Sequence, residues 1–174
     1  MTNLSCTLAF AGLALLAKHA AAGDVFAHLI IGTSAWMTPD DWSQQISEAS
    51  AAGISAFALN IAKDTYTDTQ LGYAYDAAAN TDFRMFISFD YQAAEQQGGF
   101  AASDVVTTIN NYASRPGQYK YNSQPLVSTF EGTGNAGDWA GIKQQTGCFF
   151  MPDYSSLGPE GAASQPDIDG YVCS

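Results

Sequence analysis

Apolar residues gather in five short runs along this chain, and each run finishes on a polar or charged residue. The runs are Val25-Phe26-Ala27-His28, Ala56 to Asn60, Met85 to Asp90, Leu126 to Glu131 and Cys148 to Asp153. Near-continuous apolar runs of this length, separated by helical patterns, predict parallel strands buried on both faces. A further run, Ile168 to Cys173, is a sixth strand candidate.

The segments between the runs carry helix signals. Thr38-Pro39-Asp40-Asp41 supplies an N-cap, a first-turn proline and acids that suit the helix dipole, and Trp42, Ile46 and Ala49 follow at helical spacing before Gly53. A second helix is expected from Thr67, with Gln70 completing a capping box and Leu71, Ala74, Tyr75 and Ala78 on one face. A third follows Ser103 and stops before Arg115-Pro116-Gly117; a fourth begins near Asp138 with Trp139 and Ile142 inward. The Ser/Gly/Pro-rich stretch from Asp153 to Gln165 reads as a loop. The fold expected is α/β, a (β/α)8 barrel type that is incomplete, with about six strands. Its open edges, and the neighbours lost to inward-facing Phe26, Phe57 and Phe149, predict a marginally stable chain.

Residues 1–22 read as a signal peptide, with an apolar stretch from Leu8 to Leu16 and Ala20-Ala21-Ala22 as a small-residue cleavage site, which leaves one domain over 23–174. This predicts a secreted, extracellular protein. Past residue 22 the chain carries Cys148 and Cys173, whose places on neighbouring strands put them on the order of 10 Å apart, so two free thiols are expected.

Charge narrows the partners. Seventeen acids against six bases give a net −11, a surface that repels phosphate backbones and anionic lipids but tolerates a neutral polysaccharide.

In a parallel α/β fold the ligand sits at the carboxyl ends of the strands, where this chain places His28, Asn60, Asp90, Glu131 and Asp153. Glycoside hydrolysis needs two carboxyl groups, one to protonate the leaving oxygen and one to activate water or attack the sugar. Glu131 and Asp90 are the candidates for that chemistry. His28, Asn60 and Asp153 are candidates for holding substrate, with Tyr66 and Tyr91 as sugar-stacking rings. Each carboxylate has the alternative of simply hydrogen-bonding a sugar hydroxyl or a neighbouring loop. No Cys/His cluster has zinc spacing and no cofactor is expected. Gly132, Gly134 and Gly137 spell a dinucleotide fingerprint, with Asp153 at the ribose-acid distance. Glu131 and Asp138 set negative charge where a pyrophosphate would dock, so a nucleotide-dependent oxidoreductase is the weakest reading.

Several segments resemble glycoside hydrolase family 71, the fungal α-1,3-glucanases or mutanases: Val25 to His28, Asp41-Trp42, Ala52 to Ile61, Asp64 to Leu71, Phe86 to Asp90, Pro125 to Gly132, and Pro152-Asp153. The resemblance implies a secreted barrel that cleaves α-1,3-glucan of the fungal wall without a cofactor. It also implies a catalytic Asp and Glu in an Asn-Asp-Tyr-Gly-Glu-Ser-like segment, which this chain lacks. Two outcomes are therefore weighed, a glucan hydrolase and a non-catalytic carbohydrate-binding remnant that keeps the cleft wall.

Overall fold

The computed structural model describes residues 23–172. The expected signal peptide and Cys173 lie outside the described residues. The elements run β1 (Phe26–Ile30), α1 (Pro39–Ala51), β2 (Ala56–Ile61), α2 (Thr67–Ala78), β3 (Arg84–Asp90), α3 (Tyr91–Glu95), α4 (Ala102–Tyr112), β4 (Lys120–Tyr121), β5 (Gln124–Phe130), α5 (Trp139–Thr146), β6 (Phe149–Phe150) and α6 (Gly158–Ala163).

Strands β1, β2, β3, β5 and β6 are parallel and neighbours in that order, while β4 folds back antiparallel on β5. The β4–β5 hairpin turns on Asn122 and Ser123, both at positive φ (48° and 67°), the handedness that a two-residue hairpin needs. The structure is thus a partial barrel of the expected type.

Alternation along the strands sorts the side chains. Ala27, Leu29, Phe57, Leu59, Met85, Ile87, Val127 and Phe150 pack against the helices in the main core. Phe26, Ala56, Ala58, Phe86, Leu126, Phe149 and Met151 share a second cluster on the opposite, lumen side. There the Phe26 ring meets Phe86 at 5.1 Å and Tyr119 at 5.0 Å, both edge-on. Phe57 therefore faces the helices, not the lumen: it is buried and packs edge-on against Phe83 at 4.7 Å.

The helical faces read from spacing are the buried ones: Trp42, Ile46 and Ala49 on α1, Leu71, Ala74, Tyr75 and Ala78 on α2, Val105, Ile109 and Tyr112 on α4, and Trp139 and Ile142 on α5. Trp139 stacks flat on Phe150 with centroids 3.5 Å apart. Thr38 is the expected N-cap of α1, and Asp41 returns the contact to make the cap reciprocal.

Three expectations change, and one helix is unforeseen. Gln70 does not cap α2: it is buried, accepts from Trp42 Nε1 at 2.7 Å and donates to the Met37 carbonyl at 3.1 Å, which ties α2 to the turn before α1. A short helix, α3, starts directly after β3 because the Asp90 carboxylate accepts from Ala93 N at 2.8 Å. The stretch after Asp153 contains α6, opened by Pro159 in its first turn. Finally, Ile168 to Val172 forms no strand. It runs beside β6 through two separate bonds, Asp169 N to the Phe150 carbonyl and Val172 N to the Pro152 carbonyl. Cys148 is buried with a free thiol whose pKa is raised by that burial.

Candidate active site

The lumen face of the strands lines a cavity of about 290 Å³, which Phe130 and Asp153 reach from the carboxyl ends. Its walls include His28, Phe86, Ser88, Ser128, Phe130 and Asp153. The lining is mostly apolar, with His28, Ser88, Ser128, Thr129 and Asp153 as its polar residues, a composition common in small-ligand sites.

His28 lines this cavity, but from mid-strand rather than from a strand end: β1 continues through Leu29 and Ile30, and the imidazole is exposed. Asn60 is two residues beyond Ala58, a cavity residue, and so faces the same side of β2. It is buried, and its Nδ2 is one of four buried side-chain polar atoms among the described residues that have no partner within the chain. A buried amide donor in that position is costly unless something polar meets it. The others are Thr129 Oγ1, Trp139 Nε1 and Tyr154 OH.

Asp90 and Asp153 flank Phe130: the three are in register across β3, β5 and the bridge beyond β6, which sets the two aspartate Cα atoms on the order of 10 Å apart. One Asp90 oxygen is engaged as the cap of α3. Asp153 lines the cavity, and its Oδ1 accepts a short hydrogen bond from Ser155 Oγ.

Glu131 stands differently. It follows β5 in the left-handed region at φ 54°, and its carboxylate turns towards the segment after β6, accepting from Ser156 N at 2.9 Å and Ser156 Oγ at 2.6 Å. It is not among the cavity-lining residues.

Neither tyrosine expected as a stacking ring lines the cavity. Tyr91 is buried, edge-on to Phe100 at 5.5 Å and packed over Gly132, and burial first, with the neighbouring Asp138 and Tyr154, pushes its phenol well above the ordinary range. Tyr66 is half-buried and donates its hydroxyl to the Gly32 carbonyl at 2.7 Å, holding the turn that follows β1.

Ser88 and Ser128 were missed by the sequence reading. Both belong to lumen-facing series, Phe86-Ser88-Asp90 and Leu126-Ser128-Phe130, so counting by two back from the strand end would have found them. Ser128 Oγ donates to the Met151 carbonyl at 2.7 Å and holds the segment after β6 against β5.

A sequence model of glycosyl hydrolase family 71 matches residues 21–174. The chain belongs to this family. It is 38% identical over 123 residues to a mutanase of Penicillium rubens, covering 70% of this chain and 26% of that protein. It is 31% identical over 165 residues to the glucan endo-1,3-alpha-glucosidase agn1 of Schizosaccharomyces pombe, covering 85% of this chain and 37% of that protein. The chain thus spans about a quarter to a third of the length of the curated relatives it matches. A GH99 endo-alpha-mannosidase of Bacteroides thetaiotaomicron superposes with a TM-score of 0.62 at 14% identity, over 78% of this chain and 43% of that one. At that identity the likeness is one of fold.

Proposed function

We propose that this chain is the amino-terminal wall of a secreted glycoside hydrolase acting on α-1,3-glucan. Family membership together with the polar groups on the lumen face carries this reading: His28, Ser88 and Asp153 line the cavity, and the buried Asn60 amide, in register with Ser88 on the neighbouring strand, has no partner within the chain and is suited to a pyranose hydroxyl. His28, Asn60 and Asp153 hold sugar. Asp90, separated from Asp153 by Phe130 in register, caps α3 through one oxygen, and with the cavity-lining Asp153 it is a carboxyl candidate for acid or base work. The net charge of −11 and the wall-polysaccharide substrate fit an extracellular site of action and disfavour nucleic acid and anionic membrane partners.

The test is incubation of the purified chain with insoluble α-1,3-glucan and, in parallel, with an α-1,4-linked glucan. Sedimentation with the α-1,3 polymer alone supports the reading, and release of reducing sugar from it shows that hydrolysis is retained as well. Binding to neither polymer, or equally to both, overturns it.

A further inference from the structure

The geometry points to Glu131 as a positioning residue that fixes Asp153 in the cleft by clasping the turn after β6, an inference that rests on the glucan reading above.

The backbone first. Phe130 closes β5, and Glu131 then enters the left-handed region at φ 54°, followed by Gly132 at φ 93°. Glycine is at ease there and glutamate is not; a strained non-glycine residue persists where its surroundings over-determine it. Here they do. Glu131 N donates to the Asp153 carbonyl at 2.8 Å, and Asp153 N donates to the Thr129 carbonyl at 2.9 Å, so the strained residue and the cavity aspartate are bound back to back.

The side chain completes the clasp. Each Glu131 oxygen already accepts a hydrogen bond, one from the Ser156 amide and one from the Ser156 hydroxyl. That occupancy speaks for holding rather than for proton transfer. What is held needs holding: the single turn Ser155–Leu157 itself has no buried residue, and only Tyr154, at its start, anchors it to the core. The same turn supplies the Ser155 hydroxyl that donates to Asp153 Oδ1. Glu131 thus fixes the turn, the turn fixes the Asp153 carboxylate, and that carboxylate lines the cavity.

Glu131→Ala, Glu131→Gln, Ser156→Ala and the Glu131→Ala/Ser156→Ala double variant of the full chain are compared by affinity for soluble α-1,3-linked glucan oligosaccharides, amide exchange at Ser156 and thermal melting. Glu131→Ala is expected to weaken binding about tenfold and Ser156→Ala by less, since the Ser156 amide still donates to Glu131, with the double variant no worse than Glu131→Ala because the lost contacts are the same. Glu131→Gln should stay within about twofold, since its carbonyl can accept from the Ser156 amide and its amide can donate to the Ser156 hydroxyl. Ser156 exchange should speed at least tenfold in Glu131→Ala while melting barely moves.

Binding lost equally in Glu131→Gln and Glu131→Ala overturns the inference, because the charge would then act directly. Full binding by Glu131→Ala with a released turn overturns it too. A parent chain that binds no glucan overturns the functional reading instead, and Ser156 exchange then decides the clasp alone. Ser156, on an exposed turn, guards against misfolding of the Glu131 variants.

Discussion

The ring of Tyr91 occupies the space that a side chain at Gly132 would need: a Cβ there would lie 2.5 Å from Tyr91 Cγ. Gly132 also sits at φ 93°, so glycine is required twice over, by contact and by conformation. The first glycine of the fingerprint-like spelling is therefore explained by packing against α3. Gly132→Ala should destabilise by about 2 kcal/mol or more and lower the melting temperature by about 4 °C or more. NAD or NADP at millimolar concentration should not raise that temperature, because Asp138 opposes a phosphate at the start of α5. A melting curve unchanged by Gly132→Ala would remove the Tyr91 contact from this account.

The Trp42–Gln70 contact makes a second case. Gln70→Met keeps the length of the side chain but leaves the Trp42 indole N–H and the Met37 carbonyl without their partner. Both residues of the pair are buried, so the expected cost is about 2 kcal/mol or more. Adding Trp42→Phe should be less than additive, since the indole N–H is then no longer stranded. Strict additivity in a denaturation series would argue that the bond contributes nothing.

Most of the fold can be read in the sequence because packing and periodicity agree there. The helices α1, α2, α4 and α5 each bury the stripe that 3.6-residue spacing marks, and the first five apolar runs hold the parallel strands, while Ile168 to Val172 does not form one. The misses have local causes. Gln70 has the spacing of a cap but the burial of a tertiary connector, and spacing cannot distinguish the two. Phe57, expected in the lumen, alternates with Ala58, the residue that lines the cavity, and an apolar run with both faces buried does not mark which parity faces inward. The β4–β5 hairpin escaped because its arm on the β4 side is two residues long, although Asn122 is a residue that tolerates positive φ. At the site, the polar rim could be predicted by residue type, but the destination of each carboxylate could not. Asp90 and Glu131 end neighbouring strands alike in sequence, yet one caps a helix and the other clasps a turn.

The cap on α1 gives a pH dependence with a definite sign. Hydrogen bonds from the Thr38 side chain first, then from its backbone, hold the Asp41 carboxyl below its ordinary 3.8. A depressed folded-state value adds stability that is present above 3.8 and is lost as pH falls through 3.8 towards the folded value. Thr38→Ala should therefore lower the melting temperature at neutral pH, and the gap from the parent chain should narrow below about pH 4 to the share held by the Asp41 N to Thr38 Oγ1 bond. A gap that is constant from pH 7 to pH 3 would show that the carboxylate plays no part in the cap.

Tryptophan emission reports the packing directly. The chain has three tryptophans; Trp42 and Trp139 are fully buried, while Trp36 is 74% exposed. Trp36 is at the corner of a hydrogen-bonded turn, with Met37 N donating to the Ser34 carbonyl at 2.8 Å. Acrylamide should quench one component readily, and Trp36→Phe should remove it, leaving blue-shifted emission that resists quenching. A readily quenched component that survives Trp36→Phe would mean that the core around Trp42 or Trp139 is loose.

Looseness of that kind is the expected weakness of the purified 174-residue chain, and the last prediction concerns it. A β/α barrel closes by pairing its last strand with its first. Among the described residues β1 pairs only with β2, and β6 only with β5. Val25 and Ile30, at 53% and 49% exposed, lie along the open β1 edge. Phe26, Phe149 and Met151 are only partly buried on the lumen side. Each large apolar side chain left in water forfeits roughly 1.5–3 kcal/mol, against a typical domain stability of about 5–15 kcal/mol. Open apolar edges also template association between chains. The expected result is a chain that binds hydrophobic dye, associates at micromolar concentration and shows no turnover on α-1,3-glucan, whatever its affinity for the polymer. Size-exclusion chromatography, dye fluorescence and a reducing-sugar assay on one preparation decide the matter. A soluble monomer that unfolds cooperatively and hydrolyses the polymer would overturn this prediction, and would place a sufficient catalytic pair among Asp90, Glu131 and Asp153.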